Sequence, residues 1–402
     1  MRKAVVIGGA LCLAAAAVVA GPLGAPFRVS SCATCRQEFP AVAGAPSGDF
    51  FVVWEGQSAK DVRGINGRLF KGATAAAADL LVNKSVLADQ YDAAVARDTK
   101  GNYIVVWSEV ANDNSEIMAQ RFQAAGTPLG NAFKVNQDPA GSKPSDLRPA
   151  IARTSGGGFV VVWITVPALG DTESTPRVMA RRFNAAGAAL GSPLKLNSGL
   201  VKGERPGVCV DTSGRIIAVW TSVDQFLPFQ PNKKGLSMRR LSPAGVPLAG
   251  EEIIKPPTAD YFQPAVSCGA GSTFVVVWHG EQAPAVAGTD IVGQRFSRLG
   301  RKVGAAFRLN TLTAGEQRNP ATSHDAKGNF VVVWQATTGT KLAIYGRRYT
   351  AAGAATGPAE FEVYVDPFRS HNPRVAHIGA AGDYVVVWQD ANRSIFGRRF
   401  AP

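Results

Sequence analysis

"GNFVVVWQ" occupies residues 328–335, and six near copies are spread along the chain: "GDFFVVWE", "GNYIVVWS", "GGFVVVWI", "GRIIAVWT", "STFVVVWH" and "GDYVVVWQ". The copies hold all seven tryptophans, at positions 54, 107, 163, 220, 278, 334 and 388, so successive tryptophans stand 53, 56, 57, 58, 56 and 54 residues apart. A period that long and even marks a stacked or circular array of one supersecondary unit, not a string of unrelated domains. The unbroken β-branched run before each tryptophan suits a strand buried on both faces; a strand with one wet face would alternate.

Three further strand-like pieces accompany each tryptophan strand. Before it stands a "RPAIA" piece (148–152), seen also as "FPAVA", "RPGVC", "QPAVS", "NPATS" and "NPRVA", followed by a tight turn such as "DTKG" (98–101) or "DAKG" (325–328). After it come "IYGRRY" (344–349), with "IMAQRF", "VMARRF", "IVGQRF" and "IFGRRF", and then "FKVN" (133–136), with "LLVN", "LKLN", "FRLN" and "FEVY". Glycine and proline fall between the pieces, where turns need them. Four antiparallel strands at this period make a β-propeller blade. The chain ends at "SIFGRRFAP", after a third strand, while "GPLGAPFRVS" (21–30) matches the turn and fourth strand of "GTPLGNAFKVN" (126–136). The reading is an all-β, seven-bladed β-propeller with four antiparallel strands per blade, closed by pairing the N-terminal strand with the C-terminal blade. An open solenoid would need capping repeats instead.

Residues 1–20, "MRKAVVIGGALCLAAAAVVA", have the basic start, apolar middle and small-residue end of a secretory signal, which leaves 21–402 as one domain. A retained anchor is the alternative, since the run is only just long enough to span a bilayer. Export makes disulfides the expectation for the four remaining cysteines, most simply Cys32–Cys35 and Cys209–Cys268. In "CATC" (32–35), Arg36 stands where haem attachment needs histidine, and no βαβ context supports a redox pair. The net charge of +13 points to an anionic partner. For an exported monomer that partner is a polysaccharide, lipopolysaccharide or another cell-envelope component, not nucleic acid.

The "VVW…G-Q/R-R-F…F-x-V-N" unit resembles those of secreted bacterial tandem-repeat proteins, and the resemblance extends over nearly all of 21–402. It implies a propeller of uncharacterised function and carries no catalytic residue to transfer. The Asp-box of sialidases and the regular Gly-His and Trp-Asp pairs of WD40 repeats are absent.

Residues present in every repeat serve the repeat. The tryptophans fall in that class, as do, in six of the seven repeats, Arg121, Arg182, Arg240, Arg295, Arg348 and Arg399, read as bonding groups between neighbouring blades and as partners for aromatic rings. Asp98, Asp211 and Asp325 open tight turns. Function belongs where repeats differ: the second-to-third and fourth-to-first connections, such as 164–177 and 221–235, emerge on one face of the disc. The residue before each repeat's proline position begins the innermost strand on that face. Round the ring these are Phe39, Asp92, Arg148, Arg205, Gln263, Asn319 and Asn372, with Glu38, Glu204, Arg318 and His371 one residue further out. Such a polar funnel suits a sugar or an anionic group, arginine giving bidentate contact. Cys268, His324 and His377, each four residues past the proline, form a metal candidate set weighed against a Cys209–Cys268 bridge; otherwise no cofactor is implied. "NDNSE" (112–116) is oxygen-rich but lacks EF-hand spacing. No Ser/His/Asp pattern is visible, so a non-catalytic binding or scaffold module is favoured, the alternative being a propeller-type hydrolase or lyase acting on polysaccharide.

Overall fold

The computed structural model describes residues 21–58, 61–76, 78–111, 114–138, 142–168, 175–198, 205–223, 234–259, 261–280, 288–338, 341–366 and 371–402. Residues 1–20, Glu204 and parts of 164–177, 221–235 and "NDNSE" therefore lie outside the described residues. Apart from one short 3-10 turn at Ala270–Ser272, the described secondary structure is strand.

Each repeat folds as an antiparallel meander. In the sixth, Gln317–His324, Phe330–Thr338, Lys341–Tyr349 and Ala355–Asp366 pair in sequence order. The second and third repeats share one eight-stranded sheet through a single parallel bridge, Ser115 to Ser145. The last repeat runs His371–His377, Tyr384–Gln389, Ile395–Phe400, and its fourth strand is Phe27–Arg28 from the other end of the chain. Phe27 lies opposite Gly397, and the Val29 amide continues the ladder to the Ile395 carbonyl at 2.8 Å.

The seven copies of the tryptophan strand are explained by where their side chains go. Successive residues point to opposite faces, and both faces are dry. Val105 and Trp107 pack with Phe51 and Val53 of the first repeat, while Ile104 and Val106 pack with Val161 and Trp163 of the third. Phe50, Val52 and Trp54 meet Val385 and Val387 of the last repeat in the same way. Every tryptophan is buried. The innermost strands touch in cyclic succession, Gln37–Gly44 against Asp89–Arg97 and so on round to His371–His377, which packs against Gln37–Gly44. This is an all-β, propeller-like arrangement of separate sheets joined by side-chain packing.

The repeat's polar letters tie strands together, the asparagine within its own repeat and the arginines between neighbouring repeats. In "F-x-V-N", the asparagine Oδ1 accepts the amide of the adjacent third strand: Asn83 from Ile65 (2.7 Å), Asn136 from Ile117 (3.0 Å), Asn197 from Val178 (2.8 Å) and Asn310 from Ile291 (2.8 Å). In "R-R-F", the first arginine donates back to a carbonyl of the preceding repeat's fourth strand, as Arg181 does to Val135 (2.8 Å) and Arg347 to Leu309 (2.8 Å). Arg68 of the first repeat makes the same bond to Val29 (3.0 Å), treating the N-terminal strand as its predecessor's. The second arginine reaches forward, Arg121 to Ala185 (2.7 Å) and Arg182 to Pro243 (2.5 Å), so the interblade role expected of this series is seen in these members. Stacking on aromatic rings, however, belongs to the first arginine, as in Arg181 over Phe183 and Arg398 over Phe400. Both expected disulfides are present, Cys32–Cys35 and Cys209–Cys268, the second tying the innermost strands of the fourth and fifth repeats.

Candidate functional site

Six of the innermost strands carry one extra residue relative to the tryptophan strand beside them. Thus Glu38 faces Glu55 but Ala41 faces Val53, and Arg318 faces Gln335 but Ala321 faces Val333. This is a β-bulge, which bends a strand and re-aims a side chain. The bulged residue is left-handed each time: Phe39 (φ 48°), Asp92 (57°), Arg148 (57°), Gln263 (48°), Asn319 (53°) and Asn372 (53°). Asparagine and aspartate tolerate that region, whereas phenylalanine, glutamine and arginine are strained there, and proline following five of the six narrows the choice further. The strain buys position: with Arg205, all these side chains line one cavity of about 450 Å³ bounded by residues on the innermost side of all seven repeats. Inside the mouth the wall turns apolar, with Ala41, Ala94, Ala150, Gly207, Ala265 and Ala321, then Val42, Val95, Ile151, Val208 and Val266.

A supporting tier stands behind the ring, built from residues that follow the tryptophans. Ser108 Oγ accepts the Arg148 amide (3.1 Å), Gln389 Oε1 the Phe39 amide (3.4 Å) and Glu55 Oε1 the Asp92 amide (3.4 Å). Gln335 Oε1 accepts from Asn319 Nδ2 (3.1 Å). Glu55 is the one carboxylate at this position, and burial, helped by the negative charge of Asp92, pushes its pKa up to about 8. Arg205 Nη2 pairs with Asp92 Oδ1 from two repeats away.

Sequence reading missed Arg374. It lines the same cavity two residues inward of Asn372, at the level where the other six repeats have alanine or glycine. Its Nη1 donates to the neighbouring Pro373 carbonyl (2.9 Å), and among the described residues no carboxylate forms an ion pair with it. Burial, with the like charge of Arg205, lowers its pKa to about 9, still protonated at neutral pH. The signal was present in "NPRVA", an arginine at a scaffold position that is otherwise small.

The outer residues are not brought to the cavity. Glu38 pairs with Arg36 (3.1 Å) and Arg393 (3.5 Å), Arg318 pairs with Glu316 (3.0 Å), and His371 sits in the ladder opposite Gln389. They precede the bulge, where strand alternation turns side chains away from the axis. The metal set fails as well. Cys268 is consumed by its bond to Cys209, and the histidines bond to serines of the preceding repeat, His324 Nδ1 with Ser267 Oγ (2.7 Å) and His377 Nδ1 with Ser323 Oγ (3.0 Å). Burial lowers their pKa values to about 3 and about 4. Among the described residues no cluster of three histidine, cysteine or carboxylate side chains could hold a metal.

No family model and no curated protein matches the chain. Solved structures share its fold at low identity. A protein of unknown function from Dyadobacter fermentans DSM 18053 is 11% identical with a TM-score of 0.56, covering 96% of this chain and 99% of its own. An ulvan lyase, a polysaccharide lyase bound to GlcA(1-4)Rha3S, is 8% identical with a TM-score of 0.54, covering 94% of each chain. An alpha-L-arabinofuranosidase of Fusarium graminearum, in complex with an iminosugar inhibitor, is 9% identical with a TM-score of 0.51, covering 78% of this chain and 93% of its own.

Proposed function

We propose that this chain is an exported, monomeric, seven-bladed propeller, residues 21–402 forming one closed domain, that binds an acidic polysaccharide of the cell envelope or its surroundings at the mouth of its central cavity. The observation that carries this reading is the cavity's charge: three guanidiniums, Arg148, Arg205 and Arg374, against the single carboxylate of Asp92, beside the amides of Gln263, Asn319 and Asn372. Planar forks of this kind match carboxylates and sulfates, and amides match hydroxyls. Structural relatives that act on or bind saccharides, among them a lyase holding a uronate-containing chain, support the ligand class. Two disulfides and the leader-like segment 1–20 support export. Lipopolysaccharide, with its anionic sugars, is a member of the same ligand class.

The test is retardation of the mature protein in gels containing polygalacturonate, alginate or lipopolysaccharide. The Arg148→Ala/Arg205→Ala variant should lose at least tenfold in apparent affinity, while Lys71→Ala/Lys100→Ala, exposed at a strand end and in a turn, should lose little. Equal losses from the two pairs would mean diffuse charge, and no retardation of the parent would remove the reading. A second reading, a hydrolase or lyase, is favoured by Glu55, a buried carboxylic acid touching the Asp92 backbone with a pKa suited to proton transfer. Release of reducing ends or unsaturated products from the same polymers would establish it.

A further inference from the structure

We infer that Arg374 anchors a carboxylate on the terminal sugar residue of an acidic glycan, which enters the cavity end-on; this rests on the acidic-polysaccharide reading above. Five repeats place alanine and one places glycine where the seventh has Arg374, so the fold has no use for a guanidinium there. A half-buried guanidinium is favoured when it is paired, and yet the hydrogen bonding of Arg374 among the described residues amounts to one backbone carbonyl, with Asp92 attracting it without forming an ion pair. Asp92, the acidic member of the cavity lining, is already engaged by Arg205. An anion from outside completes the set.

Depth decides how that anion arrives. Arg374 lies two residues inward of the left-handed ring, about 7 Å along an extended strand. A polymer lying across the mouth meets Asp92, Arg148, Arg205 and the amides, but only a group that protrudes inward comes level with Arg374. The cavity of about 450 Å³ is in the lower part of the range for small-ligand sites, roughly enough for one or two sugar rings. At the rim Phe39, 38% exposed, offers an apolar face for the C–H side of a pyranose. A carboxylate on the last ring, held by the Arg374 fork, with that ring against Phe39, uses each of these features.

The experiment is calorimetric titration of the mature protein with trigalacturonate, its methyl ester, a sulfated monosaccharide and polygalacturonate of several chain lengths, repeated with Arg374→Ala. Because alanine is the residue of most other repeats, this variant should fold, with a melting temperature equal to or above that of the parent. Its affinity for trigalacturonate should fall at least tenfold; the methyl ester should bind neither protein, and polymer binding should scale with the concentration of chain ends. Unchanged affinity in Arg374→Ala, a melting temperature lowered by several degrees, scaling with total uronate, or preference for the sulfated sugar would each overturn the inference. If polygalacturonate retards the parent in gels but trigalacturonate does not bind, end-on entry fails and the polysaccharide reading stands; if neither occurs, both fall.

Discussion

Removing the side chains of Phe27 and Val29 tests whether the N-terminal strand is a full member of the last repeat. Val29 is completely buried, and Phe27 packs against the stacked rings of Phe50 and Phe70, with centroids 6.1 and 5.3 Å away. Truncating a buried valine and a half-buried phenylalanine to alanine costs about 2 kcal/mol each, so about 4 kcal/mol for the pair. Unfolding entropy of ~2.1 cal/mol/K per residue gives roughly 0.8 kcal/mol/K for a domain of this size, hence a drop in Tm of about 5 °C. The internal control is built into the repeat. Phe133 and Val135 occupy the same positions in the second repeat, with Val135 completely buried and Phe133 against Phe159 and Phe183 at 6.4 and 5.7 Å. Differential scanning calorimetry of Phe27→Ala/Val29→Ala and Phe133→Ala/Val135→Ala should show matching losses and a single transition. A terminal pair that shifts Tm by less than a quarter of the internal pair would refute closure, because a strand that frays before the ring unfolds cannot contribute to its melting.

The Cys209–Cys268 bridge closes a loop with a sequence separation of 59, for which loop-closure entropy gives about 4 kcal/mol; Cys209→Ala/Cys268→Ala should therefore melt roughly 5 °C lower in the same assay. Unchanged melting would mean the bridge is idle. Glu55 has a folded pKa of about 8, above its ordinary value of 4.5, so the folded state holds its proton more tightly and stability falls as pH rises from about 4.5 to about 8. Glu55→Gln, the residue found at Gln335 and Gln389, should flatten Tm against pH over that window, and a slope equal to the parent's would refute the buried-acid assignment.

The repeat and its partners were legible because they are dictated by local physics repeated seven times. A β-branched run buried on both faces, "R-R-F" and "F-x-V-N" each reappear as a packing or hydrogen-bonding device within or between repeats. The ring of Phe39, Asp92, Arg148, Arg205, Gln263, Asn319 and Asn372 was found from the proline offset alone, although the bulge that places it was not foreseen. Its signal is an excess residue in one strand, visible only against the pairing register. Arg374 escaped because a scaffold position was treated as uniform, and Glu55 because its burial depends on the adjoining repeat. Glu38, Arg318 and His371 were misplaced because strand alternation, ahead of the bulge, turns them outward.

The ladder between the two ends has a consequence for how the molecule can be mounted. Gly21 and Ala401 are hydrogen-bonded to each other at 3.2 Å, beyond the third strand of the last repeat. Third strands run away from the cavity mouth, so Gly21 and Ala401 lie on the side opposite it. A tether, fused partner or support attached at either end would hold the protein by its back, with Phe39 and the arginines turned toward whatever approaches. The same proximity would let a short peptide join Gly21 to Ala401 and the chain be reopened at a far-side turn of another repeat, moving the handle while the side chains at the mouth keep their order.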